Sequence, residues 1–202
     1  MREFSFKRRL EHVPNFQEDL SRKLSIVFDS EFIKTEWSAE LDNGVYSPRL
    51  DLAVGPFAIE ESYESLYNEM VYEPTIFHFL SRLQEAHAQN LERNSHMHTP
   101  ELERKLFMNP NARCLLSIEI ENAVSQKHML GAIVNASALG RLGILIPWNE
   151  RKLRAFIRAL NYLGFLKSVG KNNFDMTNIF IVTKEQIESA LLGISVVNRI
   201  SN

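Results

Sequence analysis

The sequence predicts an α/β domain built on a mixed sheet. Three observations carry this expectation: an amphipathic segment at 15–28 precedes two strand-like runs, a strand–helix–strand unit fills about 113–147, and a helix, a strand and a helix follow it. The 202 residues are 45% hydrophobic and 24% charged, enough for one domain, 1–202, with a sizeable core. A net charge of −2 gives no global electrostatic case for nucleic acid. Any phosphate-binding surface must therefore be a local patch. The lone cysteine, Cys114, sits in an apolar run and reads as a small buried hydrophobe of a reducing compartment. No leader-like apolar region and no run of about 18 apolar residues occurs, so the expectation is a soluble, cytoplasmic protein with no membrane partner.

Phe16, Leu20, Leu24, Val27 and Phe28 recur at helical spacing behind Pro14. "EFIKTEWSAEL" then alternates as a strand, "NGV" at 43–45 signals a turn, and "PRLDLAVGPFAI" is a second strand, shortened or bent by its prolines. Residues 60–108 read as a helical insertion broken at Pro74, with a second piece after Pro100, placed at the rim of any site on the sheet. A strand at about 113–121, a helix at about 126–139 stopped by Gly140, and the strand "LGILIPW" form a right-handed βαβ unit. Small residues along that helix let it lie close to the sheet. A helix over 149–163, a strand "FDMTNIFIVT" and a short final helix, with Thr183 and Gln186 at capping-box spacing, complete the chain.

The strand 113–121 carries two glutamates, Glu119 and Glu121. Side chains alternate, so Ser117, Glu119 and Glu121 share one face, while Cys114, Leu116, Ile118 and Ile120 face the other, under the βα crossover. Two like charges on a buried face resist ionisation unless cations or donors compensate them. A wet edge strand would explain them simply. Asp51 suggests more, because it faces opposite to Leu50, Leu52 and Val54 with only Ala53 beside it. An aspartate on one strand facing Glu-x-Glu on another suits a hard divalent cation, Mg²⁺ or Mn²⁺, which takes oxygen ligands and leaves places for water and phosphate.

Asp51 followed, after an insertion, by "IEIEN" and a helix resembles the active-site core of the PD-(D/E)XK phosphodiesterases, the restriction-endonuclease-like nucleases. The resemblance spans roughly 14–58 and 111–147. It implies an αβββαβ core with the helical insertion between the second and third strands and a C-terminal helix–strand–helix extension. It also implies a metal-dependent endonuclease acting on nucleic acid, DNA above all, as a homodimer if both strands of a duplex are cut. Asp51 maps to the family's aspartate and Glu119 to its (D/E). Glu121 falls on the lysine position, a departure, and would serve as a ligand or general base. Lys127 would supply a displaced cation and Gln126 would bind phosphate or position water. A first-helix carboxylate near the metal would be Glu18, with Asp19 second. The rival reading is a catalytically silent member of the same fold, serving as a nucleic-acid-binding or protein-interaction module.

Arg151, Arg154 and Arg158 form a stripe that would contact a phosphate backbone, or simply a solvated face. His96 and His98 lack companion ligands, so zinc is not expected there. The Asn-Ala-Ser sequon at 135–137 falls in a packed helix and carries no reading. Phosphate-binding and serine-nucleophile motifs are absent.

Overall fold

A computed structural model describes residues 13–38, 46–95, 98–122 and 126–200. The turn expected at 43–45 and His96 lie outside these residues. The first helix, α1, is Val13–Leu24, with Pro14 in its opening turn, where a missing N–H costs nothing. A hairpin-like pair follows, β1 (Ile33–Trp37) and β2 (Leu50–Val54). The segment 60–108 supplies α2 (Glu64–Val71), α3 (Pro74–Asn94) and α4 (Leu102–Leu106). Then come β3 (Cys114–Glu121), α5 (Gln126–Leu139), β4 (Gly140–Pro147), α6 (Glu150–Ser168), β5 (Ile179–Ile181) and α7 (Lys184–Ile200). The architecture is mixed α/β, with one five-stranded sheet in the order β1-β2-β3-β4-β5 and seven α-helices among the described residues. Strands β1, β2 and β3 pair antiparallel, and β3, β4 and β5 pair parallel. Among the described residues no helix is long and apolar enough to cross a membrane.

Helices cover both faces. Leu52, Val54, Leu116, Ile118, Ile120, Ile144 and Phe180 face a core shared with α1, α2, α3, α4 and α7. Leu145, Ile179 and Ile181 face a second core with α5 and α6. This corrects one expectation. Leu116, Ile118 and Ile120 point away from the crossover helix, and the Ser117–Glu119–Glu121 face is the one that α5 covers. The insertion is also placed differently. It packs against α7 and along β5, over the face opposite the carboxylates, and not at their rim.

Three side chains of that insertion close the open edge of the sheet. Ile181 N–H donates to His87 Nδ1 at 3.1 Å, Asn90 Nδ2 donates to Ile181 O at 2.9 Å, and Lys105 Nζ donates to Ile179 O at 2.7 Å. An uncovered strand edge would otherwise invite pairing with another chain.

The C-terminal elements differ from expectation in length, for local reasons. Helix α6 runs to Ser168, because its stop is Gly170 at φ 70°, where Lys171 N–H reaches back to Leu166 O at 2.8 Å. Strand β5 is short because Asn172 and Asp175 accept from the N–H groups of Phe174 and Thr177, turning the chain before Ile179. The capping box forms as expected, with Thr183 N–H to Gln186 Oε1 at 2.8 Å and Gln186 N–H to Thr183 Oγ1 at 3.3 Å. The helix it starts, however, extends to Ile200.

Helix α5 lies close to the sheet, as its small residues imply. Ser117 Oγ donates to Ala136 O at 2.5 Å, and a Cβ on Gly143 would come within 2.9 Å of the Ala136 carbonyl. Backbone cannot yield there as a flexible side chain can. Gly143→Ala should therefore cost about 1–3 kcal/mol, the usual overpacking range. Gly131→Ala is the control: nothing lies within 4 Å of the added Cβ, so the lower conformational entropy of the unfolded chain should stabilise by about 0.5–1 kcal/mol. Urea titration of both variants reads the two signs, and equal effects would show that α5 does not approach the sheet this closely.

Candidate functional site

The register that pairs Leu52 with Ile118 and Ala53 with Ser117 continues to set Asp51 opposite Glu119. Directly opposed residues share a face, so the two carboxylates are neighbours across the strands. On the other side, Thr35 pairs with Leu52 and Trp37 with Leu50, which sets Glu36 beside Asp51. Three acids thus stand in one row across β1, β2 and β3, and Glu121 follows Glu119 along β3. The sequence reasoning brought together Asp51, Glu119 and Glu121. It missed Glu36.

Glu36 has φ 49°, in the left-handed region, which costs a side-chain-bearing residue about 1–2 kcal/mol. The kink also explains an irregularity. Residues 34 and 37 of a regular strand face opposite ways, yet Lys34 Nζ lies 4.3 Å and the Trp37 ring 4.9 Å from the Phe57 ring centre. Gln17 holds the kink. Its Nε2 donates to Glu36 Oε1 at 2.9 Å and to Asp51 O at 2.6 Å, while Arg49 pairs with Glu36 Oε2 at 2.9 Å. The first helix therefore turns the buried Gln17 toward the acidic row. Glu18 is exposed, and Asp19 pairs with Lys23 at 2.6 Å. The sequence signal for Gln17 was weak, since a buried glutamine on an apolar stripe is noticed only once its acceptors are known.

Asp51 Oδ2 accepts from Ile120 N–H at 2.6 Å. Burial nevertheless holds the Asp51 carboxyl above its ordinary range. That backbone donor opposes the shift, Glu36 and Glu121 add to it, and Arg49 relieves part of it. Glu119 is perturbed more. Burial first, then the charges of Asp51 and Glu121, push it up to about 9, although Asn135 hydrogen-bonds the carboxylate and Glu36 contributes further repulsion. Asn135, passed over as a meaningless sequon, is the α5 residue that reaches this site.

The other expected site residues are distributed around this centre. Lys127 is exposed in the first turn of α5. Eight residues of helix separate it from Asn135, about 12 Å along the axis, which sets it beyond Glu119 toward the Glu121 end of β3. Gln126 begins α5, and its side chain lies outside the described residues. Arg151, Arg154 and Arg158 are exposed on α6, where Arg154 pairs with Glu150 at 3.6 Å. The start of α6 adjoins the end of β3 through Trp148 N–H to Glu121 O at 3.0 Å and Lys152 Nζ to Asn122 O at 2.6 Å. Among the described residues no group of three His, Cys, Asp or Glu side chains encloses a metal by itself. A pair of carboxylates completed by water is the donor set that Mg²⁺ ordinarily takes.

The raised Glu119 carboxyl makes a signed prediction. Its contribution to stability is fully present below pH 4.5, the unfolded value, and is lost as pH rises through about 9. In EDTA, Glu119→Gln should therefore gain on the wild type across that window, by up to about 1.4 kcal/mol per pH unit. Urea unfolding at pH 5, 7 and 9 measures it, and parallel curves would mean that Glu119 is solvated. No protein-family model matches the chain, and neither a curated protein nor a solved structure does.

Proposed function

We propose that the chain is a metal-dependent phosphodiesterase of the PD-(D/E)XK kind, a nuclease with DNA as its substrate, in which α1, the first four strands and α5 are the restriction-endonuclease-like core. The observation that carries this reading is the row Glu36–Asp51–Glu119, three neighbouring carboxyl groups whose burial and mutual repulsion raise Asp51 and Glu119, with Arg49 paired to Glu36 at the outer end. A divalent cation neutralises such a row.

Asp51 and Glu119 would hold Mg²⁺ or Mn²⁺. When bound, the metal supplies polarisation of the scissile phosphate and acidification of the attacking water. The chain's own groups do the rest. Ile120 N–H fixes the Asp51 carboxylate, and Asn135 orients that of Glu119. Glu121, on the same face, accepts the proton of the attacking water. Gln17 keeps Glu36 beside Asp51, adding negative field that favours the cation. Gly131, one helical turn before Asn135, is exposed, with nothing within 4 Å of where its Cβ would stand, which leaves that stretch of α5 open to a phosphate from solvent. Lys127 and the exposed arginines of α6 are the cations available to a nucleic-acid backbone.

Supercoiled-plasmid nicking in Mg²⁺ tests the proposal. Wild type should nick, and Asp51→Ala and Glu119→Gln should each lose about 100-fold or more, the scale of removing a group that stabilises the transition state. Calorimetric titration with Mn²⁺ should show binding that Glu119→Gln weakens strongly. Glu121→Lys places an ammonium beside Asp51 and Glu119, so it should weaken metal affinity and lower cleavage. Lys127→Ala should lower cleavage with little change in metal affinity. An inert wild type that gains activity from Glu121→Lys would instead identify a silent nuclease fold serving as a binding module.

A further inference from the structure

Lys105 stands far from the acidic row. Helix α4 buries Leu102, Lys105 and Leu106 on one face, and Lys105 is 1% exposed. Among the described residues its amine makes one hydrogen bond, to Ile179 O at 2.7 Å, and no ion pair; Nζ lies 4.9 Å from the Phe180 ring centre. A lysine used only for solubility or for an ion pair would not be placed here. Lys105 also lines a small pocket of about 60 Å³ between α3, α4 and α6, whose walls include Leu91, Leu160, Leu163, Phe174 and Met176. His87 lines the same pocket. Its Nδ1 accepts from Ile181 N–H, so the neutral ring carries its proton on Nε2, for which the described residues hold no acceptor. The one carboxylate of the pocket, Asp175, is already held by Lys167 and Thr177.

Three features meet in this pocket: an apolar cavity, a dry amine with its remaining valences unused, and a neutral imidazole donor. An anionic ligand fits poorly, because its charge would enter apolar walls already containing Asp175. A neutral electrophile fits. We propose that this pocket binds a small apolar aldehyde or ketone, which Lys105 captures as an imine. The Nζ lone pair attacks the carbonyl carbon, and the C=O π pair moves to oxygen. His87 Nε2–H is the hydrogen-bond donor available to that oxygen, which takes up a proton. That proton comes from the nitrogen, which becomes cationic on attack; the carbinolamine then loses its hydroxyl, which leaves as water with the second N–H proton, giving C=N with no net change in oxidation state. Desolvation is what activates such lysines. Burial lowers Lys105 to about 7, so its uncharged fraction at pH 7 exceeds that of an ordinary lysine by about a thousandfold.

Reductive trapping with hexanal and cyanoborohydride at pH 7, followed by peptide mapping, tests the proposal. The hydride comes from the reagent and fixes the imine as a secondary amine. Lys105 should be alkylated about tenfold or more faster than the exposed Lys34 and Lys171, following its larger uncharged fraction. Leu163→Trp, which fills the pocket, should abolish labelling at Lys105 and leave Lys34 unchanged. Competition by 2-heptanone should do the same without any mutation, which keeps the test valid if that variant folds poorly. Lys105→Met should lose only the fast adduct. Labelling of surface lysines with Lys105 silent would overturn the proposal and leave Lys105 as a cap for Ile179. Fast labelling insensitive to both Leu163→Trp and 2-heptanone would overturn the pocket as a ligand site. Thermal stabilisation by hexanoate without labelling by hexanal would overturn the carbonyl chemistry in favour of a carboxylate.

Discussion

The close seating of α5 on β3 and β4 is the contact on which both the fold and the acidic row depend. Ser117 replaces an apolar side chain at the centre of the sheet and donates to Ala136 O at 2.5 Å, satisfying a buried hydroxyl with a helix carbonyl. Gly140 and Gly143 keep the neighbouring strand clear, since a Cβ on either would meet atoms of Ser117 or Ala136 within 3 Å. With the helix at that distance, Asn135 reaches Glu119. A helix held off by one methyl group would leave that carboxylate without the Asn135 donor, in a region where burial already disfavours the charge. Packing and electrostatics are thus set by the same few small residues.

The sheet performs two tasks in its antiparallel half and at its β5 edge, by different means. On the β1 side it gathers like charges and holds them with neutral donors: Gln17, Asn135 and the N–H of Ile120. On the β5 side it buries polar side chains of the insertion against the strand edge, each given a backbone partner. The second arrangement explains why 60–108 packs where it does. Its histidine, asparagine and lysine complete hydrogen bonds that β5 cannot make within the sheet, so the insertion belongs to the far edge and not to the acidic face.

The order of elements was legible in the sequence because hydrophobic periodicity and punctuation agree over most of the chain. The helix 126–139 and the Thr183–Gln186 cap were read to the residue because glycine and capping chemistry mark them locally. Lengths failed where the stop lies beyond the expected one, as at Gly170, or where asparagine and aspartate divert the backbone, as before β5. The orientation of β3 was misassigned, because strand alternation gives two faces but does not say which one the crossover covers. Within the site, Asp51, Glu119 and Glu121 could be found from type and spacing. Glu36 could not, since its position depends on the β1–β2 register across residues 39–45 and on a left-handed kink that no local residue preference announces. Asn135 and Gln17 are neutral donors, visible only once their acceptors are placed.

Two buried ionisable groups of opposite kind now stand apart in the fold, Glu119 on the central strand β3 and Lys105 against the edge strand β5. Glu119 is raised to about 9, so its contribution is lost as pH rises through that value; Lys105 is lowered to about 7, so its contribution, present above 10.5, is lost as pH falls through about 7. Near pH 8 the fold therefore keeps both largely uncharged. Their proton linkages have opposite sign in the overlap between about 7 and 9 and tend to cancel there. Within that overlap the two sites would be hidden from a pH titration of overall stability and separable by substitution at each. Cancellation does not remove the local cost, because each group is still kept from the charge state it would have in water. Metal at Glu119 would restore the carboxylate, and a carbonyl compound at Lys105 would use the free amine. The uncharged state is an unmet demand at the first site and the reactive form at the second.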